Sequence, residues 1–233
     1  MNNNQCVNIL WTGGWDSTFR MIQLARESQY IQPFYIIDTK RPSTLKEISQ
    51  IQKIKYDLSK KYLGCEIKEV KFIELNSIEI DKTFKLAYDK LRQESFMGSQ
   101  YLWIGALSWQ IENLELSIHQ DDKAEYFARQ LFAEKEGTPI EELKLLFGQL
   151  KFPLLNYTKL DMKKEAVDNQ DIEILNKSWF CFTPINNQPC GVCNPCKYSL
   201  AEGMDYRFST RAKLYSKIPH TIKSLRRRVY KIL

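Results

Sequence analysis

Apolar and polar positions alternate in two rhythms along the first third of the chain. Val7, Ile9 and Trp11 alternate with Asn8, which predicts a strand over 5–11. Over 17–27, Phe19, Ile22 and Ala25 recur at helical spacing. The run Pro33-Phe34-Tyr35-Ile36-Ile37 is continuously apolar and ends at Asp38, the pattern of a short strand buried on both faces. A loop over 38–43 leads to a helix over 44–63, with Leu45, Ile48, Ile51, Ile54 and Leu58 on one side. Residues 66–75, carrying Ile67, Val70, Phe72, Ile73 and Leu75, read as a third strand despite imperfect alternation.

This βαβαβ beginning implies right-handed crossovers and predicts an α/β protein, a Rossmann-like parallel sheet flanked by helices. Ligands of such sheets bind beyond the carboxyl ends of the strands, near the point where strand order reverses. The turn after strand one and Asp38 after strand two both fall there. Further along, helices are expected over 81–94, 102–112, 123–136, 139–148 and 158–167. The fourth of these would start with Thr138 as cap and Pro139 as its first residue. Short strands are expected over 114–119 and 152–155, and there is no internal repeat or low-complexity segment.

Composition changes this picture little. At 233 residues, 43% hydrophobic and 27% charged, the chain can bury a sizeable core as one large domain. No run of about 18 apolar residues predicts a membrane span. Residues 1–5 lack a basic stretch followed by an apolar one, so no signal peptide is expected and cytoplasmic is the default location. The net charge of +6 is local, because residues 206–233 hold nine Lys or Arg and no acid. The rest carries 25 basic and 28 acidic residues, a balance of −3.

The candidate chemistry begins at the first strand–helix turn, Leu10-Trp11-Thr12-Gly13-Gly14-Trp15-Asp16-Ser17-Thr18. Paired glycines let a backbone turn sharply and approach a ligand closely. A helix starting there offers unpaired N–H groups and a positive dipole end, which suits phosphate. The turn lacks the Gly-Lys-Ser/Thr ending of the Walker loop and the Gly-x-Gly-x-x-Gly of dinucleotide binders. The bland alternative is a tight turn with a capping Asp-Ser.

Cys181, Cys190, Cys193 and Cys196 fall within 16 residues, while Cys6 and Cys65 stand alone as small buried fillers. Four thiolates can close a tetrahedral zinc site with no open position, which would be structural. An iron–sulfur cluster is the other reading of four cysteines. Disulfides do not suit a chain without a secretory signal.

The turn resembles the pyrophosphate loop, Ser-Gly-Gly-x-Asp-Ser, of the ATP pyrophosphatases, with Thr12 in place of the first serine. Three further segments are similar to one branch of them, the 7-cyano-7-deazaguanine synthases of queuosine-precursor synthesis. These are Phe152-Pro153-Leu154-Leu155-x-x-Thr158-Lys159, Ser178-Trp179-x-Cys181, and Cys190-Gly191-x-Cys193-x-x-Cys196. The resemblance runs colinearly from residue 9 to about residue 200. It implies a fold of the adenine nucleotide alpha hydrolase type, with ATP, Mg2+ and Zn2+ as cofactors. It also implies adenylation of the carboxylate of 7-carboxy-7-deazaguanine, with ammonia giving an amide and a second activation giving the nitrile. On this resemblance residues 10–18 and Asp38 would hold the nucleotide. Asp16, Ser17 and Lys159 would serve catalysis, with Lys159 stabilising developing charge.

The segments that read the substrate depart from that pattern. The stretch 98–103 lacks a Gly-Arg-Asn motif, 38–42 replaces a Tyr-Gly-Gln-Arg-His type segment, and His119-Gln120-Asp121-Asp122 replaces a Gly- and Asp-rich motif. His119 reads first as a packing residue and second as a proton shuttle. Asp121 and Asp122 could bind magnesium or a purine edge, or cap a helix. One alternative function therefore couples the activated deazaguanine to an amine on a protein or nucleic acid, as in bacterial antiviral defence. Another is a non-enzymatic nucleotide-sensing or nucleic-acid-binding module. The chain divides into an ATP-binding domain over 1–175, a zinc segment over 176–205 packed on it, and a basic tail over 206–233. In that tail Ile222, Leu225, Val229 and Leu233 line one side of an amphipathic helix. The helix could bind an acidic partner or nucleic acid, or dock on its own domain or on a second copy as a homodimer.

Overall fold

A computed structural model describes residues 6–120, 122–133 and 140–218. Strand β1 (Val7–Leu10) sits at the centre of the sheet, so Ile9 and Leu10 are buried. It leads into helix α1 (Trp15–Arg26), then β2 (Tyr30–Ile37) and helix α2 (Thr44–Lys61). The expected third strand is present as two pieces, β3 (Glu66–Ile67) and β4 (Lys71–Glu74). Helices α3 (Lys82–Glu94) and α4 (Gln100–Ser108) precede β5 (Leu114–Glu115). Helices α5 (Glu125–Gln130) and α6 (Ile140–Phe147) precede β6 (Leu150–Lys151). Helices α7 (Lys159–Asp168), α8 (Ile172–Leu175), α9 (Asn194–Ala201) and α10 (Thr210–Ser216) complete the described elements.

The strands run β3-β2-β1-β5-β6, with β4 continuing along β2, and every pairing is parallel. Strand order reverses at β1, with β2 on one side and β5 on the other. One core packs α1, α2, α7 and α8 on one face, through Phe19, Ile22, Ile51, Ile54, Met162 and Leu175. The other packs α3 to α6 on the opposite face, through Leu91, Ile104, Phe127, Leu146 and Phe147. The expected α/β class is therefore found. Among the described residues no helix is long and apolar enough to cross a membrane.

Where elements differ from expectation, backbone chemistry explains it. Phe34 directs its carbonyl to Trp11 N–H in β1, at 2.8 Å, so Pro33 faces the opposite neighbour and has no N–H to offer it. The edge strand breaks opposite Pro33, and Gln32 Nε2 fills the gap by donating to the Glu69 carbonyl at 3.0 Å. Helix α1 starts two residues before the expected 17, because Thr18 N–H already bonds the Gly14 carbonyl at 3.0 Å. The strand expected over 114–119 stops at Glu115. That expected over 152–155 is a turn just after β6, closed by Leu155 N–H to Phe152 O at 3.3 Å, with donor-less Pro153 inside it. Thr138, Pro139, Asp121 and the helix expected beyond residue 219 lie outside the described residues.

Residues 206–216 do not stand apart from the body. Phe208 and Ala212 are buried together with Trp179, Cys181, Cys190 and Cys196 in a third, smaller core.

Candidate active-site cleft and metal centre

The turn after β1 forms the floor of a cleft of about 450 Å³ at the carboxyl edge of the sheet. Gly13 adopts φ +70°, and Gly14 caps α1 without a side-chain cap bond. The hydroxyls instead face each other across the turn: Thr12 Oγ1 and Ser17 Oγ lie 3.0 Å apart. Ser17 Oγ also accepts from Thr12 N–H at 3.2 Å, and Thr12 Oγ1 from Gly14 N–H at 3.4 Å. Leu10, Thr12, Gly14, Trp15, Asp16, Ser17, Asp38 and Lys159 all line the cleft. Trp11 and Thr18 are fully buried and bond to each other, Trp11 Nε1 donating to Thr18 Oγ1 at 3.2 Å. With Gly13, they shape the turn from beneath.

Asp16, in the first turn of α1, places a carboxylate in the buried part of the cleft. Its Oδ1 is buried without a hydrogen-bond partner and lies 3.7 Å from His119 Nε2. Burial raises its carboxyl above the ordinary value; His119 and Lys159 oppose this, while the nearby carboxylates of Asp122 and Glu202 add to it. Lys159 is the first residue of α7, where Thr158 and Asp161 form a reciprocal capping box. Its Nζ donates to both Glu202 oxygens, at 2.8 and 2.9 Å. Burial works against the Lys159 charge, but Asp16 and Glu202 outweigh it and raise its pKa. Lys159 is therefore a fixed cation at neutral pH.

The structure brings in residues that sequence patterns did not single out. Tyr101 donates to Asp122 Oδ1 at 3.4 Å, and Asp122 in turn caps the Ala124 N–H at 2.8 Å. Burial, then Asp122, pushes the Tyr101 hydroxyl well above its ordinary value. Beyond Asp38, buried Glu47 accepts from Tyr35 at 2.7 Å and from Ser43 at 2.5 Å. Asp38 Oδ1 accepts from Lys40 N–H at 2.9 Å, holding the β2–α2 loop. Arg41 of this loop stacks over Phe182, 4.8 Å from its ring centre. Arg207 contributes from beyond the cysteine segment. Of these, Asp38 and Asp122 had a sequence signal, the first at a strand end and the second as a possible ligand or helix cap, and the structure shows Asp122 accepting the Ala124 N–H at the start of α5.

The four cysteines converge. Their sulfurs lie within 4.8 Å of one another, with Cys190–Cys196 at 3.8 Å and Cys181–Cys193 at 3.9 Å. A tetrahedral zinc with metal–sulfur bonds of about 2.3 Å places its sulfurs about 3.8 Å apart, so the cage fits. A disulfide would need about 2.05 Å. Val192 and Cys193 N–H groups and the Thr183 hydroxyl donate to Cys190 Sγ at 3.3–3.4 Å, which favours the thiolate a metal needs. Gly191 lies against α10, where a Cβ would stand 2.4 Å from the Ala212 carbonyl. The cluster could hold zinc, and it is tied to the cleft: Trp179 N–H donates to Gly13 O at 2.7 Å.

No protein-family model matches the chain, and no curated protein sequence matches it. Among solved structures, the chain is similar to the predicted subunit of a tRNA methyltransferase from Methanocaldococcus jannaschii. That likeness has 18% identity and a TM-score of 0.40, over 70% of this chain and 76% of the other.

Proposed function

We propose that the protein is an ATP-dependent enzyme that adenylates a carboxylate, with a 7-deazaguanine acid such as 7-carboxy-7-deazaguanine as substrate. The observation that carries this reading is the buried, unpartnered Asp16 oxygen at the N-terminus of α1, in one cleft with the Thr12 and Ser17 hydroxyls and Lys159. Two hydroxyls, a carboxylate and an ammonium thus line the same space. The amides at the start of α1 and the two hydroxyls would bind the β- and γ-phosphates. Asp16 would hold Mg2+, which neutralises phosphate charge when bound.

The substrate carboxylate would attack the α-phosphorus, forming an acyl–phosphate bond as pyrophosphate leaves. Lys159 would then stabilise the charge gathering on the phosphoryl oxygens, its position fixed by Glu202. Attack by ammonia or another amine on the acyl carbon would expel AMP and leave an amide. The choice of a deazaguanine rests on the resemblance of the loop, Thr158-Lys159 and cysteine segments.

The test is incubation of the purified, zinc-loaded protein with ATP, magnesium and 7-carboxy-7-deazaguanine, with and without ammonium, followed by mass spectrometry. AMP together with an amide or nitrile product is expected. AMP without either product would move the amine acceptor elsewhere, and no AMP at all would refute the adenylation.

A further inference from the structure

Arg207 is a charge without a counter-charge at the wall of the cleft. It follows α9 in a short 3-10 turn, Asp205–Arg207, and its guanidinium lies over two aromatic rings. Its Cζ is 5.4 Å from the centre of Trp15 and 4.6 Å from that of Phe180. Among the described residues its hydrogen-bond partners are all neutral. Nη2 donates to the Ser178 carbonyl, to Ser178 Oγ at 3.1 Å and to Asn176 O at 3.4 Å. Nη1 reaches only the Met204 sulfur, at 4.0 Å. No described carboxylate pairs with it. Burial accordingly pushes its pKa down to about 10, which still leaves it charged at neutral pH.

A half-buried arginine without an acid is costly, and its fork is made for planar or tetrahedral oxyanions. A clamp on two carbonyls would need a donor but not a full guanidinium. A second observation points the same way. Trp15 Nε1, on the ring beneath Arg207, is a buried donor with no acceptor. Trp15 and Arg207 both line the cleft, so an indole N–H with no acceptor and a guanidinium with no described carboxylate share one wall. We propose that Arg207 and the Trp15 indole form an oxyanion subsite of the cleft, filled by a phosphate or carboxylate group of its ligand. This rests on the reading that the cleft takes ATP and a carboxylate, and it names the residues that would discriminate acid from neutral substrate.

The test uses the zinc-loaded full chain and calorimetric titration with two probes separately, Mg-ATP and 7-carboxy-7-deazaguanine. Arg207→Gln should weaken one probe by roughly 10–100-fold and leave the other within about twofold, with Arg207→Lys intermediate. Loss confined to ATP assigns the subsite to phosphate, and loss confined to the acid assigns it to carboxylate. Trp15→Phe, which keeps the ring and removes the N–H, should weaken the same probe. If both probes bind Arg207→Gln as they bind the unaltered protein, the subsite is refuted while the adenylation reading stands. Equal loss of both probes with a lowered melting temperature marks a structural clamp and also refutes it. If the unaltered protein binds neither probe, the subsite falls together with the reading it rests on.

Discussion

Replacing Gly13 by alanine tests what holds the turn in its shape. Gly13 sits at φ +70°, and an L-residue there carries left-handed backbone strain of about 1–2 kcal/mol. Its Cβ would also stand 2.9 Å from Ile51 Cγ1 and 3.4 Å from Cδ1. Ile51 is fully buried between α1 and α2, so it has no open space to swing into. Overpacking of that kind costs about 1–3 kcal/mol, which brings the expected loss to about 2–5 kcal/mol. Gly203 supplies the control. It has φ +75°, but nothing lies within 4 Å of its added Cβ, so Gly203→Ala should lose only the backbone strain. Urea unfolding of the two variants reads the difference. Because Gly13 O also holds the Trp179 N–H, Gly13→Ala should weaken ATP binding as well, while Gly203→Ala should not. Equal destabilisation by the two alanines would refute the role given to the Ile51 contact.

Three further outcomes are expected. Lys159→Ala should lower the rate of AMP formation by about 10²–10³-fold while zinc content is unchanged, and a near-normal rate would remove it from the chemistry. Cys193→Ser should lose one equivalent of zinc by elemental analysis and lower the melting temperature; a coloured, iron-containing protein would refute the zinc assignment. Asp16→Asn should abolish turnover yet stabilise the metal-free, nucleotide-free protein at pH 7. The folded pKa of Asp16 lies above the unfolded value, so the folded state holds its proton longer and stability falls as pH rises through that window. The gain from asparagine should therefore appear at neutral pH and vanish below the unfolded value of about 3.9. A gain of equal size in melts at both pH values would contradict this.

The parts legible in the sequence were those written in consecutive residues. The turn after β1 and the cysteine cluster each occupy a short stretch, and the first two crossovers follow from apolar spacing alone. Helix α1 was placed two residues late because Asp16 and Ser17 look like caps. In the structure Gly14 takes that position, and the Ser17 hydroxyl turns back to Thr12. The strand expected over 114–119 is present only as β5, Leu114–Glu115, whose buried acid Glu115 is held by Arg20 of α1 in a two-pronged pair at 2.8 and 2.9 Å. The walls of the cleft were illegible for another reason. Tyr35 and Glu47 meet across a strand–helix connection, and Tyr101 comes from the far side of the sheet. Arg207 counted only as one of nine cations in a basic segment. Net charge cannot separate a solvated arginine from one stacked on Trp15.

The place of Arg207 bears on what a metal in the cysteine cage would do. A closed four-cysteine site performs no chemistry, yet residues in or just after this segment line the cleft, Trp179, Glu202 and Arg207 among them. Trp179 N–H holds the Gly13 carbonyl, Glu202 at the end of α9 holds Lys159, and Arg207 holds the Ser178 backbone. Between Cys181 and Cys193 the backbone pairing described is one isolated bridge, Ile185–Gln188, and the remaining bonds converge on the cysteine sulfurs. The thiolate cage and the small core of Trp179, Phe208 and Ala212 hold its path. Removing the metal should therefore free Lys159 and the turn while the parallel sheet, whose two cores lie elsewhere, stays folded. A metal in the cysteine cage would then act on the proposed chemistry through position alone, by making one wall of the cleft rigid enough to aim Lys159.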